Sequence, residues 1–222
     1  MCFAALASEP DPSPVAKSSF KKIHGEDCQR FVVVRFGIAA RAGIGGSACD
    51  SDRNASARAA ICYSFHPFHE VGGDFLDFFT LTDGAIGIYL GDVAGKGLPA
   101  ALYTALAVGT LRGVHKTGTP PSSVLSLLNR RVTLRGVTPR YAAVQYACLD
   151  PRTGILRIAS AGMTGPVLLS AQGNRELDLR GIPPGMFPET EYDSETVQLQ
   201  CGDSVIFLSD GFCEAQNSEG EF

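Results

Sequence analysis

The stretch GIYLGDVAGKGLPAALYTAL, residues 87 to 106, constrains the fold more tightly than any other part of the chain. It runs from apolar, β-prone residues through a turn carrying Gly91, Asp92, Gly95, Lys96 and Gly97, then into an apolar segment whose Pro99 suits the first turn of a helix. Such a turn has two chemical uses: its N–H groups can wrap a phosphate, or its acid can seat a metal ion. A P-loop requires G-x-x-x-x-G-K-[ST]. Here the interval from Gly91 to Gly95-Lys96 is one residue short, and Gly97 stands where the hydroxyl belongs. A dinucleotide-binding unit is also disfavoured, because no strand-turn-helix-parallel-strand pattern surrounds the loop.

The flanking sequence reads as hairpins interrupted by helices. DFLDFFTL and AIGIYLGDV form a hairpin around the Asp83-Gly84 turn. Two helices follow, over Leu98 to about Val114 and Ser122 to about Arg135, with Leu102, Leu106 and Thr110 recurring along the first. In the second, Ser122 or Ser123 is the expected cap, and Val124, Leu128 and Val132 form one buried face. Beyond Arg140 the pattern returns to strands around the turns DPRTG, QGN and CGD. Antiparallel hairpins around a helix pair predict an α+β fold. Residues 1–59 mix Pro, Ser, Gly and charge around one apolar burst, FVVVRFGIAA, and read mostly as linker, leaving 60–222 as the domain.

Composition removes several classes of function. With 222 residues, 45% of them apolar, one large core is affordable, and a net charge of -4 supplies no basic field for nucleic acid or anionic lipid. The uncharged stretch between Lys96 and Arg112 is shorter than the roughly 18 residues of a membrane span, so the chain reads as soluble. Seven cysteines without a C-x-x-C pair argue against a disulfide framework and a zinc ribbon, and fit a cytoplasmic setting.

Three acids sit beside glycine at strand ends: Asp74 in EVGGDF, Asp92 in LGDVAGKG and Asp210 in IFLSDGF. An apolar strand that delivers a carboxylate at its end, next to a glycine that permits close backbone approach, can hold hard oxygen ligands at a cleft rim. Asp-Gly is also common turn chemistry, and each acid taken alone reads that way first.

Five motifs in order, EVGGDFLDFF, IGIYLGDVAGKGLPAAL, ASAGMTGPVLL, GIPPGMFP and VIFLSDGFCEAQNSEGEF, resemble the bacterial metal-dependent (PPM-type) serine/threonine protein phosphatases that regulate sigma factors, the sporulation stage II and stress-regulator group. The resemblance covers about residues 60 to 222. It implies a sandwich of two antiparallel β-sheets flanked by α-helices, with two Mn²⁺ or Mg²⁺ ions at one end. It further implies that Asp92 bridges the ions, that the Val93 carbonyl adds a ligand, that Asp74 acts mainly through bound water, and that Asp210 is a direct ligand. Gly95, Lys96 and Gly97 shape the loop. The implied reaction is hydrolysis of phosphoserine or phosphothreonine by a metal-activated water, with an anti-sigma-factor antagonist as substrate. No thiol phosphatase loop competes, since Cys201 and Cys213 are each followed within two residues by an acid.

The chain departs from that pattern in three places. It ends at Phe222, before the further aspartate the family usually supplies, so the expected domain is incomplete at its C-terminus. Met163 stands where relatives usually carry histidine, and a thioether neither donates a hydrogen bond nor binds a hard cation well. Residues 1–59 resemble no sensor domain. These departures motivate a second reading, a catalytically inactive module or fragment that binds a regulatory partner. The remaining candidates have plain readings. Strand alternation sends His66 and His69 to opposite faces, Asp77 reads as a strand-surface acid, Glu70 suits solvent or support of the nearby site, Glu214 either packs beside the SDG turn or faces water, and His115 complements a helix end.

Overall fold

Alternation along the strands decides which side chains meet. In the computed structural model, which describes residues 3–4, 30–36, 59–65, 73–114, 118–133 and 141–210, the strands are β1 (Phe3–Ala4), β2 (Arg30–Phe36), β3 (Ala59–Phe65), β4 (Phe75–Thr80), β5 (Ile86–Val93), β6 (Ala142–Asp150), β7 (Ile155–Ala161), β8 (Val167–Ser170), β9 (Gly173–Glu176), β10 (Glu195–Gln198) and β11 (Ser204–Leu208). Helices α1 (Gly97–Val114) and α2 (Pro121–Thr133) lie between β5 and β6. The strands form a six-stranded sheet ordered β1-β3-β2-β11-β8-β9 and a five-stranded sheet ordered β10-β7-β6-β5-β4. Every described pairing is antiparallel.

One face of the five-stranded sheet carries Ile86, Ile88, Leu90, Ala147, Leu149, Leu156 and Ile158, which pack in one cluster with Ile61, Leu168, Val205 and Phe207 of the other sheet. The opposite face carries Tyr89, Val93, Val144, Tyr146 and Ala159, which pack with α1 and α2. The central strands β5, β6 and β7 are therefore largely buried on both sides, which explains their near-continuous apolar runs. The result is the α+β sandwich flanked by helices expected from the sequence.

Details differ from the sequence reading for identifiable reasons. The segments around the CGD turn do not pair with each other: β10 joins β7 in one sheet, and β11 lies between β2 and β8 in the other. Strand periodicity reports faces, not partners. In α1 the buried stripe is Ala100, Tyr103, Ala107 and Leu111, while Leu98 and Leu102 are exposed. The helix is apolar nearly all round, so its leucines do not reveal its inner side, and the small alanines let it sit close to the sheet. The predicted face Val124, Leu128 and Val132 is buried in α2, but its cap is not Ser122 or Ser123. Pro121 opens the helix, and the Ser122 N–H donates to Ser194 Oγ at 3.0 Å. The sheet also draws on sequence upstream of residue 60, since β2 pairs along its length with β3 and β11. Cys148 is a free thiol, whose titration burial pushes up, whereas Cys201 is disulfide-bonded. His66, His69, Glu70, His115 and Glu214 lie outside the described residues.

Asp77 is not a solvated surface acid. Its Oδ2 accepts hydrogen bonds from Tyr89 Oη at 2.5 Å and Arg112 Nε at 2.6 Å, tying β4, β5 and the end of α1 together. The Arg112 guanidinium also lies over the Phe79 ring, 5.8 Å from its centroid. Partial burial pushes the Asp77 carboxyl up, but the hydrogen bonds from Arg112 and Tyr89 outweigh it and hold it below its ordinary 3.8. A depressed folded value means the stabilisation is present above pH 3.8 and is lost as pH falls below it towards the native value. Asp77→Asn should therefore cost about 1 kcal/mol at pH 7, kept small by solvent screening at the half-exposed Arg112. Urea unfolding from pH 7 to pH 3 should show the gap from the parent narrowing below pH 3.8; a gap that persists or widens would refute the ionic tie.

Candidate metal centre

The site begins where the inter-sheet face stops being apolar. Alternation that turns Ile86, Ile88 and Leu90 towards the other sheet gives Asp92 the same side of β5. The β4–β5 register pairs Phe75 with Gly91. One step further, Asp74 falls opposite Asp92, on the side of Leu76 and Phe78, which also pack against the inter-sheet core. The ladder continues past β4, since the Val93 N–H donates to the Gly73 carbonyl at 3.2 Å. Both acids are half-buried, and Oδ1 of Asp74 is fully withdrawn from solvent.

Gly73 makes this approach possible. A Cβ there would overlap the Val93 carbonyl oxygen and meet Asp92 Oδ1 at 3.0 Å, so any side chain would push apart the groups proposed to face an ion. The Gly73 carbonyl also accepts a 2.6 Å hydrogen bond from Thr104 Oγ1, which fastens α1 to the loop before Asp74. After Asp92 the chain turns sharply: Gly95 and Gly97 have φ of 112° and 69°, a region L side chains rarely adopt. Lys96 between them is exposed, while the Ala94 N–H donates to the Tyr141 carbonyl at 2.9 Å and anchors the turn to the start of β6.

Asp210 comes from the facing sheet. The end of β5 lies beside the start of β6 and the end of β7. Five residues carry β7 into β8, whose start lies beside the end of β11. Asp210, two residues beyond β11, therefore stands at the same end of the sandwich as Asp74 and Asp92, and is exposed. The structure brings Asp74 and Asp92 together directly and Asp210 only by topology. Among the described residues no three His, Cys, Asp or Glu side chains are gathered closely enough to enclose an ion. The donors are nevertheless of the right chemistry, hard carboxylate and carbonyl oxygens around a cradle that a Cβ would fill, and so fit Mg²⁺ or Mn²⁺ better than a soft metal.

Met163, in the histidine position of the resemblance, packs against the inter-sheet core, and its carbonyl accepts from Ser160 Oγ at 3.3 Å. The GIPPGMFP loop is held by fully buried Asn129 of α2, whose Nδ2 donates to the Phe187 carbonyl at 2.8 Å and whose Oδ1 accepts from the Gly185 N–H at 2.8 Å.

A family model for Stage II sporulation protein E (SpoIIE) matches residues 82–222. The chain belongs to the SpoIIE family. Phosphoserine phosphatase RsbU of Bacillus subtilis (strain 168) is 29% identical over 156 residues, covering 69% of this chain and 46% of RsbU. The chain thus spans less than half the length of the curated relatives it matches. Among solved structures, the PP2C phosphatase domain of SpoIIE from Bacillus subtilis superposes with a TM-score of 0.59 at 17% identity, covering 72% of this chain and 53% of that one. RsbX, solved in complex with magnesium, gives 0.52 at 16% identity, covering 62% and 66%. The fold is that of the PP2C-type phosphatases, and this SpoIIE-family domain resembles the sigma-factor-regulating members.

Sequence reasoning singled out the acids and the glycine beside each, but missed Thr104. The doubled glycine before Asp74 carried the first signal; no local pattern marks Thr104. Gly73→Ala should cost about 1–3 kcal/mol through overpacking against Val93 and Asp92. Urea unfolding measures it, and a variant as stable as the parent would contradict the close approach.

Proposed function

We propose that this SpoIIE-family domain is a Mn²⁺- or Mg²⁺-dependent protein serine/threonine phosphatase that binds two ions and acts on a phosphorylated regulator of the anti-sigma-factor-antagonist type. The observation that carries the proposal is the register that sets Asp74 opposite Asp92 on the inter-sheet face, with Gly73 leaving room between them. In this reading Asp92 is the principal shared ligand, the Val93 carbonyl and Asp210 are further ligands, and Asp74 orients a bound water. Bound divalent ions supply an activated water and charge stabilisation on the attacking and leaving oxygens. The chain's own contribution is to hold hard oxygens from two sheets at one end and to keep the apolar core beneath them dry. A cytoplasmic setting belongs to the same reading; the Cys201 disulfide is the observation that bears the other way.

A second reading, an inactive phosphatase-like module that binds a regulatory partner, is favoured by one specific observation: Met163, in the position where the resemblance places histidine, packs against the inter-sheet core and offers neither a hydrogen-bond donor nor a hard ligand.

Phosphate release from a phosphoserine protein, measured against Mn²⁺ concentration, tests the first reading. Asp92→Asn should lower metal-dependent turnover by at least about a hundredfold, the upper end of what loss of a supporting partner alone costs a metal site. Equal turnover in parent and variant would remove Asp92 from the chemistry. No turnover in either folded protein would favour the binding module.

A further inference from the structure

Gln145 is a fully buried amide in the middle of β6, in a strand otherwise built from apolar side chains and one tyrosine at this depth. It shares the inter-sheet side with Ala147 and Leu149 and pairs with Leu90, two residues before Asp92. Its Nε2 donates to the carbonyl oxygen of Thr164. Thr164 belongs to the segment that leaves β7 in one sheet and enters β8 in the other, and the start of β8 flanks the end of β11, from which Asp210 follows. The bond thus links the strand beside Asp92 to the segment that crosses into the sheet from which Asp210 follows.

Two further groups at this end have no hydrogen-bond partner among the described residues: Gln145 Oε1 and Ser209 Oγ. Their residues are 0% and 2% exposed. Burying such groups costs about 1–3 kcal/mol each, and a core concerned only with stability would place apolar atoms there. The 162–165 turn gains no side-chain hydrogen bond from Met163; it is gripped through its carbonyls by Ser160 and Gln145.

We propose that Gln145 is a positioning residue for the candidate metal centre, setting the separation between the sheet that carries Asp74 and Asp92 and the sheet that carries Asp210. The proposal rests on the phosphatase reading above and concerns how this chain holds its ligands, not which residues they are. Replacing Gln145 with methionine removes the donor to the Thr164 carbonyl but also the buried Oε1 that has no hydrogen-bond partner, so the loss and the gain offset and stability should change little while the tie is loosened.

The test is Mn²⁺ binding followed by electron paramagnetic resonance, with thermal unfolding of the metal-free protein as the control, on the parent, Gln145→Met and Gln145→Glu. Gln145→Met should bind Mn²⁺ about tenfold more weakly, with an unfolding temperature close to the parent's. Gln145→Glu should match the parent at pH 6, where a buried neutral carboxyl donates to Thr164 as the amide does, and weaken relative to it as pH rises and the acid ionises. Parent-like Mn²⁺ affinity in Gln145→Met would overturn the positioning role while leaving the phosphatase reading in place. So would weakened binding accompanied by a matching loss of stability that Gln145→Glu does not rescue. A parent that binds no Mn²⁺ would overturn both.

Discussion

The antiparallel ladder between Phe75–Thr80 and Ile86–Val93 is the constraint on which the rest of this molecule depends. Because side chains alternate strictly along a strand, a one-residue slip of β4 along β5 would turn Asp74 away from the facing sheet while Asp92, held by the β5–β6 ladder, stayed, and would carry Leu76 and Phe78 out of the inter-sheet core. The hydrophobic cost of that slip enforces the register. Thus the core that stabilises the sandwich also aims the two carboxylates, and no separate device is needed to orient them. Gly73 completes the arrangement, since the ladder runs on through its carbonyl only if nothing projects towards Val93 and Asp92.

A site drawn from one hairpin offers ligands from one side only. In the proposed site the facing sheet would contribute Asp210, and the separation of the two sheets would then become part of the chemistry. Side-chain packing of the mid-core, Ile88 and Ile158 against Val205 and Phe207, sets that separation coarsely. Near the site the core gives way to polar side chains, Gln145, Ser160 and Ser209, which are buried and directional where hydrophobic contact is not. Helix α1 is attached to the same hairpin twice, through Thr104 to Gly73 and through Arg112 to Asp77, which Tyr89 also holds. Movement of α1 would therefore reach the loop before Asp74 directly, a path that needs no chain of intermediates.

Much of this was legible in the sequence because the signals were local. The Asp83-Gly84 turn, the Gly91–Gly97 loop and the second helix with its Val124, Leu128 and Val132 face are each specified by residues within one element. Asp74, Asp92 and Asp210 were legible as strand-end acids, and their arrival at one end follows from topology. What was not legible depends on partners far away in sequence. The separation of Glu195–Gln198 from Ser204–Leu208 into different sheets cannot be read from alternation, which both segments satisfy. The inner side of Gly97–Val114 was not legible because leucine and alanine both occur all round it. Asp77 looked solvated because Arg112, which holds it, lies 35 residues away. Gln145 did leave a trace, a lone amide inside YAAVQYACL, whose meaning depends on the Thr164 carbonyl beyond the next strand.

The central claim is spatial: hard ligands from both sheets converge on ions at one end of the sandwich. Anomalous diffraction at the manganese edge, from crystals of this chain grown with Mn²⁺, measures it most directly. The account predicts anomalous peaks beside Asp92, between the ends of Ile86–Val93 and Ser204–Leu208, with Asp210 drawn in as a ligand. Peaks elsewhere, or none at that end in a well-ordered sandwich with Asp74 and Asp92 turned away from each other, would contradict it.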